Sequence, residues 1–262
     1  MRVEVRDLSI AFRTGVEATR HVNLTVESGQ FVAIVGPSGC GKSTLLNAIA
    51  SLLSPEEAEI SGAILIDGQA ARSRPLREWN FGYVLQRDNL LPWRTIEDNV
   101  RVGLEIRGVT ASTQRARVSE LMAMAGLSGF ERYYPHQVSG GMRQRTALIR
   151  TLAYDPALIL MDEPFGALDA QTRMVLQAEL LRLWERTHKT ILFVTHDLVE
   201  AILLAQRVVL FSRRPGSVRQ VYDIDLPYPR DPFDLRGDPR FGQLETTLWQ
   251  TLREEFRVPV AV

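Results

Sequence analysis

Apolar positions along the 262-residue chain follow three rhythms. Near the start, Val3, Val5, Leu8, Ile10 and Phe12 roughly alternate with polar residues, and Asn23-Leu24-Thr25-Val26 continues the pattern. Alternation marks half-buried strands. Residues 2–35 are therefore predicted as an antiparallel β region, with Ser28-Gly29 as the turn before a last strand, Phe31-Val32-Ala33-Ile34-Val35. Residues 61–68 read as a strand closed by the Asp67-Gly68 turn, and residues 81–86 as another. The second rhythm is helical. Thr95-x-x-Asp98 suits a helix start, a further helix begins near Thr110 and stops at Gly126, and Gly140-Gly141 opens one running through Ala153. The third rhythm is short and apolar, as buried parallel strands require: residues 158–161 wholly so, and residues 190–194 and 207–211 after a first polar residue. Helical stretches at 170–186 and 197–204 separate them. The prediction is an α/β fold with a mixed, mainly parallel sheet, an antiparallel β subdomain and a helical subdomain inserted at about 87–156. No internal repeat is present.

Residues 213–239 break these rhythms with Pro215, Gly216, Pro227, Pro229, Pro232, Gly237 and Pro239, and are predicted as turns and extended chain. Leu244, Leu248, Leu252 and Phe256 then mark one face of a terminal helix, expected to pack back on the core. The division predicted is a main domain over 1–225 and a C-terminal extension over 226–262.

Charge and composition narrow the function. Lysine plus arginine total 31 and the acids total 31, so no electrostatic case exists for a nucleic-acid partner. The single cysteine, Cys40, cannot form an internal disulfide and fits a reducing compartment. No run approaches the roughly 18 apolar residues of a membrane span. The charged start lacks a signal-peptide core. The chain is expected to be soluble and to reach a membrane only through a partner.

The chemistry centres on Gly36-Pro37-Ser38-Gly39-Cys40-Gly41-Lys42-Ser43-Thr44, which reads G-x-x-x-x-G-K-[ST] between a predicted strand and a predicted helix. Glycines let the backbone curl so that N–H groups point inward at phosphate oxygens, and the helix start favours an anion. Lys42 can reach the β- and γ-phosphates of ATP or GTP, and the Ser43 hydroxyl can ligate Mg²⁺. Cys40 reads as a small residue that fits this loop. Asp162 and Glu163 end a predicted buried strand. Beside a phosphate loop their division of labour is Mg²⁺ binding for Asp162 and polarisation of an attacking water for Glu163. Phe12 is either an ordinary strand aromatic or a face on which a base stacks. Ser139, Gly140 and Gly141 make a second anion-binding helix end. Two such ends make sense if two copies meet head to tail, each placing its Ser139-Gly140-Gly141 on the γ-phosphate held by the other's Lys42 loop.

With these motifs in order, the chain resembles the ATP-binding subunit of ABC transporters over about residues 1–225. Residues 36–44 match the phosphate loop, Gln86 the glutamine loop, residues 138–145 the signature and residues 158–163 the second nucleotide motif. Ala167-Leu168-Asp169 matches the aspartate loop and His196 the switch histidine. Val138 and Met142 stand where leucine and glutamine are usual, and Phe12 where tyrosine is more common. The resemblance implies ATP and Mg²⁺ as cofactors. It also implies that Gln86 touches Mg²⁺ or the attacking water, that His196 contacts the γ-phosphate and holds Glu163, and that Asp169 lies at a dimer interface. A narrower resemblance rests on Leu90-Leu91-Pro92-Trp93-Arg94-Thr95, residues 140–145, residues 164–170 and Arg214-Pro215-Gly216. It points to importers of nitrate, sulfonate, taurine or bicarbonate. The partners implied are a second ATPase subunit, transmembrane permease subunits and, indirectly, a solute-binding protein, with the chain peripheral on the cytoplasmic face. Leu90, Leu91 and Trp93 are the expected apolar anchors for the permease. The rival reading is a non-transport ABC ATPase acting with a soluble partner, as in cluster assembly.

Overall fold

In the computed structural model the described residues are 1–73, 78–166 and 168–257. Ala167 of the expected aspartate loop and the side chain of Phe256 lie outside them. Two sheets share the apolar load. The first is antiparallel, in the order β2 (Glu17–Val26), β1 (Val3–Phe12), β4 (Ala58–Ile66), β5 (Gln69–Ala70). The second has six strands in the order β10 (Val218–Asp223), β9 (Arg207–Phe211), β3 (Phe31–Val35), β8 (Thr190–Thr195), β7 (Leu158–Asp162), β6 (Phe81–Val84). From β9 to β6 the neighbours are parallel, and β10 runs antiparallel along the β9 edge. This is the predicted α/β class.

Three details differ from the expectation. Strand β3 belongs to the centre of the parallel sheet, not to the antiparallel region. All five of its residues are buried, and a strand covered on both faces cannot lie on a half-exposed sheet. Strand β10 lies within the stretch predicted as turns and extended chain. Pro215 and Pro227 flank its six residues without interrupting them, and as an edge strand it needs only one ladder. The strand expected over 81–86 ends at Val84, which leaves Gln86 on a loop.

The helices are α1 (Lys42–Ile49), α2 (Ile96–Ile106), α3 (Ala111–Met124), α4 (Gly140–Ala153), α5 (Ala170–Thr187), α6 (Leu198–Leu204) and α7 (Pro239–Arg257). The parallel sheet separates two cores. Phe31, Ala33, Val35, Met161 and Phe193 face the core built with α2 to α6. Val32, Ile34, Leu160, Val194 and Phe211 face α1 and the antiparallel sheet. Full burial of each large apolar side chain is worth about 1.5–3 kcal/mol, so the central strands are the rigid floor from which the loops at their C-terminal ends project.

The tail packs back. Leu248 and Leu252 on α7 are buried in the larger core with Phe241, and Leu244 packs against it. Arg230 holds the crossing segment in place. Its guanidinium is buried and donates to the carbonyls of Ile202, Leu203 and Ala205 at the end of α6 and to those of Ile224 and Leu226, at 2.8–3.2 Å. It also lies 4.0 Å from the centroid of the Tyr228 ring. The last carbonyls of a helix lack partners of their own, and here one planar cation satisfies several of them. Burial pushes the Tyr228 phenol up to about 12.

Candidate functional site

Strand β3 ends at Val35, and the next six residues wrap into the start of α1. The wrap is tight because other strands press on it from outside. Gly41 has φ +100°, and a Cβ there would lie 2.5 Å from the Ala18 carbonyl oxygen of β2. Only glycine fits that combination. The first turn of α1 carries no acidic residue and no side-chain cap, so its N–H groups remain available to an anion. Lys42 is buried, and its ammonium donates to the Gly36 and Pro37 carbonyls at 2.7 and 2.8 Å. Cys40 is buried behind the loop, and burial pushes its thiol pKa up against the opposing charge of Lys42. A raised, buried thiol is a packing group rather than a nucleophile.

The opposite wall comes from the ends of β7 and β8. Ser43 Oγ donates to Asp162 Oδ1 at 3.0 Å. Asp162 is 5% exposed. Burial pushes its carboxyl pKa up; the Ser43 hydrogen bond lowers it, Glu163 raises it and Lys42 lowers it. Glu163 adopts the left-handed conformation, φ +46°, and its N–H donates to the Val194 carbonyl at 2.9 Å. That bend ends the strand. Glu163 Oε2 accepts from Gln86 Nε2 at 3.4 Å and lies 3.1 Å from His196 Nδ1. Three loops that are far apart in sequence thus meet on one carboxylate oxygen.

Between these walls lies a cleft of about 470 Å³. Ser38, Gly39, Gly41, Lys42, Ser43 and Thr44 form its floor, and Gln86, Glu163 and His196 one end. Phe12, Val16, Ala18 and Arg214 form the other part of the rim. Phe12 is therefore at the cleft and not merely in the sheet. Gly36, Pro37 and Cys40 support the floor from behind. Ser139, Gly140, Gly141 and Asp169 do not line this cleft. Ser139 caps α4 by accepting the Met142 N–H at 3.2 Å, and Asp169 caps α5 by accepting the Thr172 N–H at 3.0 Å. One protomer thus divides the expected site between two surfaces.

Sequence reasoning missed Val16, Arg214 and Glu200. Glu200 lies beneath the histidine loop and is almost fully buried. Its Oε2 accepts from Thr195 Oγ1 at 2.7 Å and its Oε1 from Gln177 Nε2 at 3.2 Å. Burial pushes its pKa up, against the Thr195 hydrogen bond. In the sequence it reads as an ordinary acid in the first turn of α6, and no local signal marks it.

The loop after Gln86 is tied to the helix that begins at Ser139. Arg143 Nε pairs with Asp88 Oδ2 at 2.9 Å, and Arg150 donates to the carbonyls of Asp88 and Asn89 at 2.9 and 2.8 Å. Asn99, fully buried, accepts the Leu91 N–H at 2.7 Å and donates to the carbonyls of Leu91, Arg94 and Thr95. The turn so fixed exposes Trp93, 72% accessible, and buries Leu90. Leu90 is thus a core residue and not the surface anchor expected of it.

A glycine loop with free helix N–H groups, a lysine in that loop and a serine–aspartate pair at its edge define a P-loop nucleoside triphosphatase. The ABC transporter family profile matches residues 19–166, more than half of the chain, and the chain belongs to that family. Within it the chain is an ATPase of the ATP-binding cassette type. It is 44% identical over 234 residues, 88% of this chain and 85% of the relative, to the uncharacterized ABC transporter ATP-binding protein MJ0412 of Methanocaldococcus jannaschii. It is 40% identical over 253 residues, 95% of each chain, to the aliphatic sulfonates import ATP-binding protein SsuB of Bacillus thuringiensis subsp. konkukian. Among solved structures it is similar to the ATP-binding cassette MJ0796, captured as a dimer in a post-hydrolysis state bound to ADP and Pi. That match has TM-score 0.77 and 32% identity, and covers 86% of this chain and 100% of that one.

The buried Asp162 carboxylate has a stability consequence. Its folded pKa lies above its unfolded value, so the native state penalises the charged form. The penalty acts in full above the folded pKa and is gone below the unfolded one. Asp162→Asn, which keeps an acceptor for Ser43, is expected to raise the melting temperature of the nucleotide-free protein near neutral pH. The gain shrinks as pH falls through the folded pKa. A variant that melts lower than the native protein at neutral pH contradicts this.

Proposed function

We propose that the chain is the ATP-hydrolysing subunit of an importer for a small anionic solute, with a sulfonate as the leading class. The observation that carries the catalytic part is the convergence of Gln86 and His196 on Glu163 Oε2 across the cleft from Lys42. The relatives named for aliphatic sulfonate import carry the solute class; nitrate, taurine and bicarbonate are its chemical neighbours.

Roles follow from position. The N–H groups around Gly39, Gly41 and Lys42 receive the β- and γ-phosphates, and the Lys42 ammonium swings from the Gly36 and Pro37 carbonyls onto them. Phe12 offers its ring to the adenine. The Ser43 hydroxyl and Asp162 carboxylate, 3.0 Å apart, are hard oxygen donors of the kind Mg²⁺ prefers, with Gln86 as a third donor. When bound there, Mg²⁺ neutralises charge on the β- and γ-phosphate oxygens. Glu163 accepts the proton of a water whose oxygen attacks the γ-phosphorus while the bond to the β,γ-bridging oxygen breaks. Gln86 and His196 hold Glu163 and that water in line, and His196 also faces the γ-phosphate.

The separation of Ser139, Gly140, Gly141 and Asp169 from the cleft supports a head-to-tail dimer. In it α4 of one copy closes the cleft of the other, and Asp169 lies at the seam. The chain divides into an ATPase domain over 1–225, with a helical subdomain over about 87–156, and a C-terminal extension over 226–262. Among the described residues no helix is long and apolar enough to cross a membrane. Transport therefore calls for permease subunits, and through them a solute-binding protein, with the chain held at the cytoplasmic face. Trp93 is exposed, and Leu91, two residues before it, lines a groove of about 1100 Å³ with Trp79, Tyr83, Ile106 and Tyr154. The Arg143–Asp88 pair links that surface to α4.

Glu163→Gln is expected to retain ATP binding and to lose hydrolysis by about 10²–10⁴-fold, the usual contribution of a positioned base. A turnover close to the native rate removes Glu163 from that role. For the transport reading, the tagged chain is expected to co-purify from detergent-solubilised native membranes with a multi-span permease, and Trp93→Ala to lose that partner while staying folded. Purely soluble partners, identified by mass spectrometry, overturn the importer and favour a non-transport ATPase.

A further inference from the structure

The rim of the cleft carries a cation that the proposed catalytic roles do not use. Arg214 lies on the hairpin between β9 and β10 and lines the same cleft as Ser38, Gly39 and Lys42. It is exposed. Among the described residues no carboxylate or hydrogen-bond acceptor holds its guanidinium. Exposed arginines such as Arg20 and Arg240 are paired with Glu17 and Asp238, whereas Arg115 and Arg186 are, among the described residues, as unpartnered as Arg214 but lie away from the cleft; it is the place of Arg214 on the cleft rim that sets it apart.

The hairpin that presents Arg214 is fixed on three sides. Within it, the Ser212 N–H donates to the Ser217 carbonyl at 2.9 Å, and the two hydroxyls are 3.0 Å apart. Toward β2, the Gly216 N–H donates to the Ala18 carbonyl and the Gly216 carbonyl accepts from the Arg20 N–H, both at 2.9 Å. A Cβ on Gly216 would fall 2.0 Å from the Cys40 carbonyl oxygen, so the hairpin backbone rests directly on the phosphate loop. Toward the tail, the Arg213 N–H donates to Glu255 Oε2 of α7 at 3.2 Å. The backbone that carries the arm is therefore positioned before any ligand arrives, and the ordering left to oppose binding is that of the Arg214 side chain itself.

We propose that Arg214 is a nucleotide-binding residue that pairs with the phosphate chain. The proposal rests on reading the cleft as the ATP site. The physical case is the match of an unpartnered guanidinium with a polyanion. An arginine fork donates two parallel N–H bonds to phosphate oxygens, and Glu163 is the anionic side chain on the cleft lining. A second positive charge on the rim offsets that carboxylate and lengthens the reach of the loop's attraction. The same geometry gives the C-terminal extension a part in nucleotide binding, because Glu255 of α7 braces the arm.

The test is titration of the full chain with Mg-ATP and with adenosine, at low and at high salt, for Arg214→Ala, Arg214→Lys and Arg214→Glu. Lys42→Ala serves as the control for the site itself. Arg214 is exposed, and the melting temperature of each nucleotide-free variant is expected to match the native one. Arg214→Ala is expected to weaken Mg-ATP binding by about three- to tenfold at low salt. Arg214→Lys retains most of the affinity and Arg214→Glu loses more than Arg214→Ala. High salt shrinks all three differences. Native-like Mg-ATP affinity of Arg214→Ala, with binding lost in Lys42→Ala, overturns the role of Arg214 and leaves the site intact. An equal loss for adenosine and Mg-ATP overturns the pairing with phosphate. Native-like binding by Lys42→Ala overturns the nucleotide site, and the proposal with it.

Discussion

The structure depends on one close backbone approach. The loop between β3 and α1 is squeezed between β2, whose Ala18 carbonyl would be 2.5 Å from a Cβ at Gly41, and the hairpin after β9, whose Gly216 would bring a Cβ within 2.0 Å of the Cys40 carbonyl. A side chain at either glycine would force main chain against main chain, which cannot relax by a rotamer change. The result is a loop whose N–H groups converge because the surrounding strands leave it no other shape. Those strands are rigid because β3 is buried on both faces and paired in parallel on both edges.

Everything on the opposite wall is arranged to face that loop. Strand β7 delivers Asp162 while still in register with β8, so its carboxylate is buried and its pKa raised by desolvation. The next residue, Glu163, breaks out through a left-handed turn. Two adjacent acids thereby occupy two environments: one dry and bonded to Ser43, the other at the cleft between Gln86 and His196. A strained backbone at a reacting group is a common feature of functional sites, and here the strain is what separates the two carboxylates.

Much of this was legible in the sequence, and the failures have physical causes. Phe31-Val32-Ala33-Ile34-Val35 reads as a buried strand from composition alone. Its sheet does not, because local pattern cannot tell which neighbours a wholly apolar run will find. Val218–Asp223 is too polar to announce a strand. Its one-sided pairing with β9 requires only backbone, which carries no sequence signal. The glycine loop, Asp162 and Glu163 are legible because their spacing within a motif is fixed, and His196 only through the family resemblance. Arg214 and Glu200 are not, because their significance depends on contacts across the fold: the hairpin's contact with the phosphate loop, and the path from Gln177 through Glu200 to Thr195. Leu90 and Trp93 look alike as apolar loop residues. Only the turn pinned by Asn99 decides which is buried.

On the proposed reading, one chain carries two halves of two different sites. Ser139 and Asp169 cap their own helices away from the cleft, and the cassette MJ0796 to which the chain is similar was captured as a dimer. The most direct measurement is cross-linking between two singly tagged protomers, one carrying Ser38→Cys and the other Ser139→Cys. Both contain Cys40→Ser to remove the native thiol and Glu163→Gln to halt turnover. A short bis-thiol reagent is expected to give the mixed covalent dimer with ATP and almost none without it. A yield that ignores ATP, or no mixed dimer at saturating ATP, would contradict the shared site.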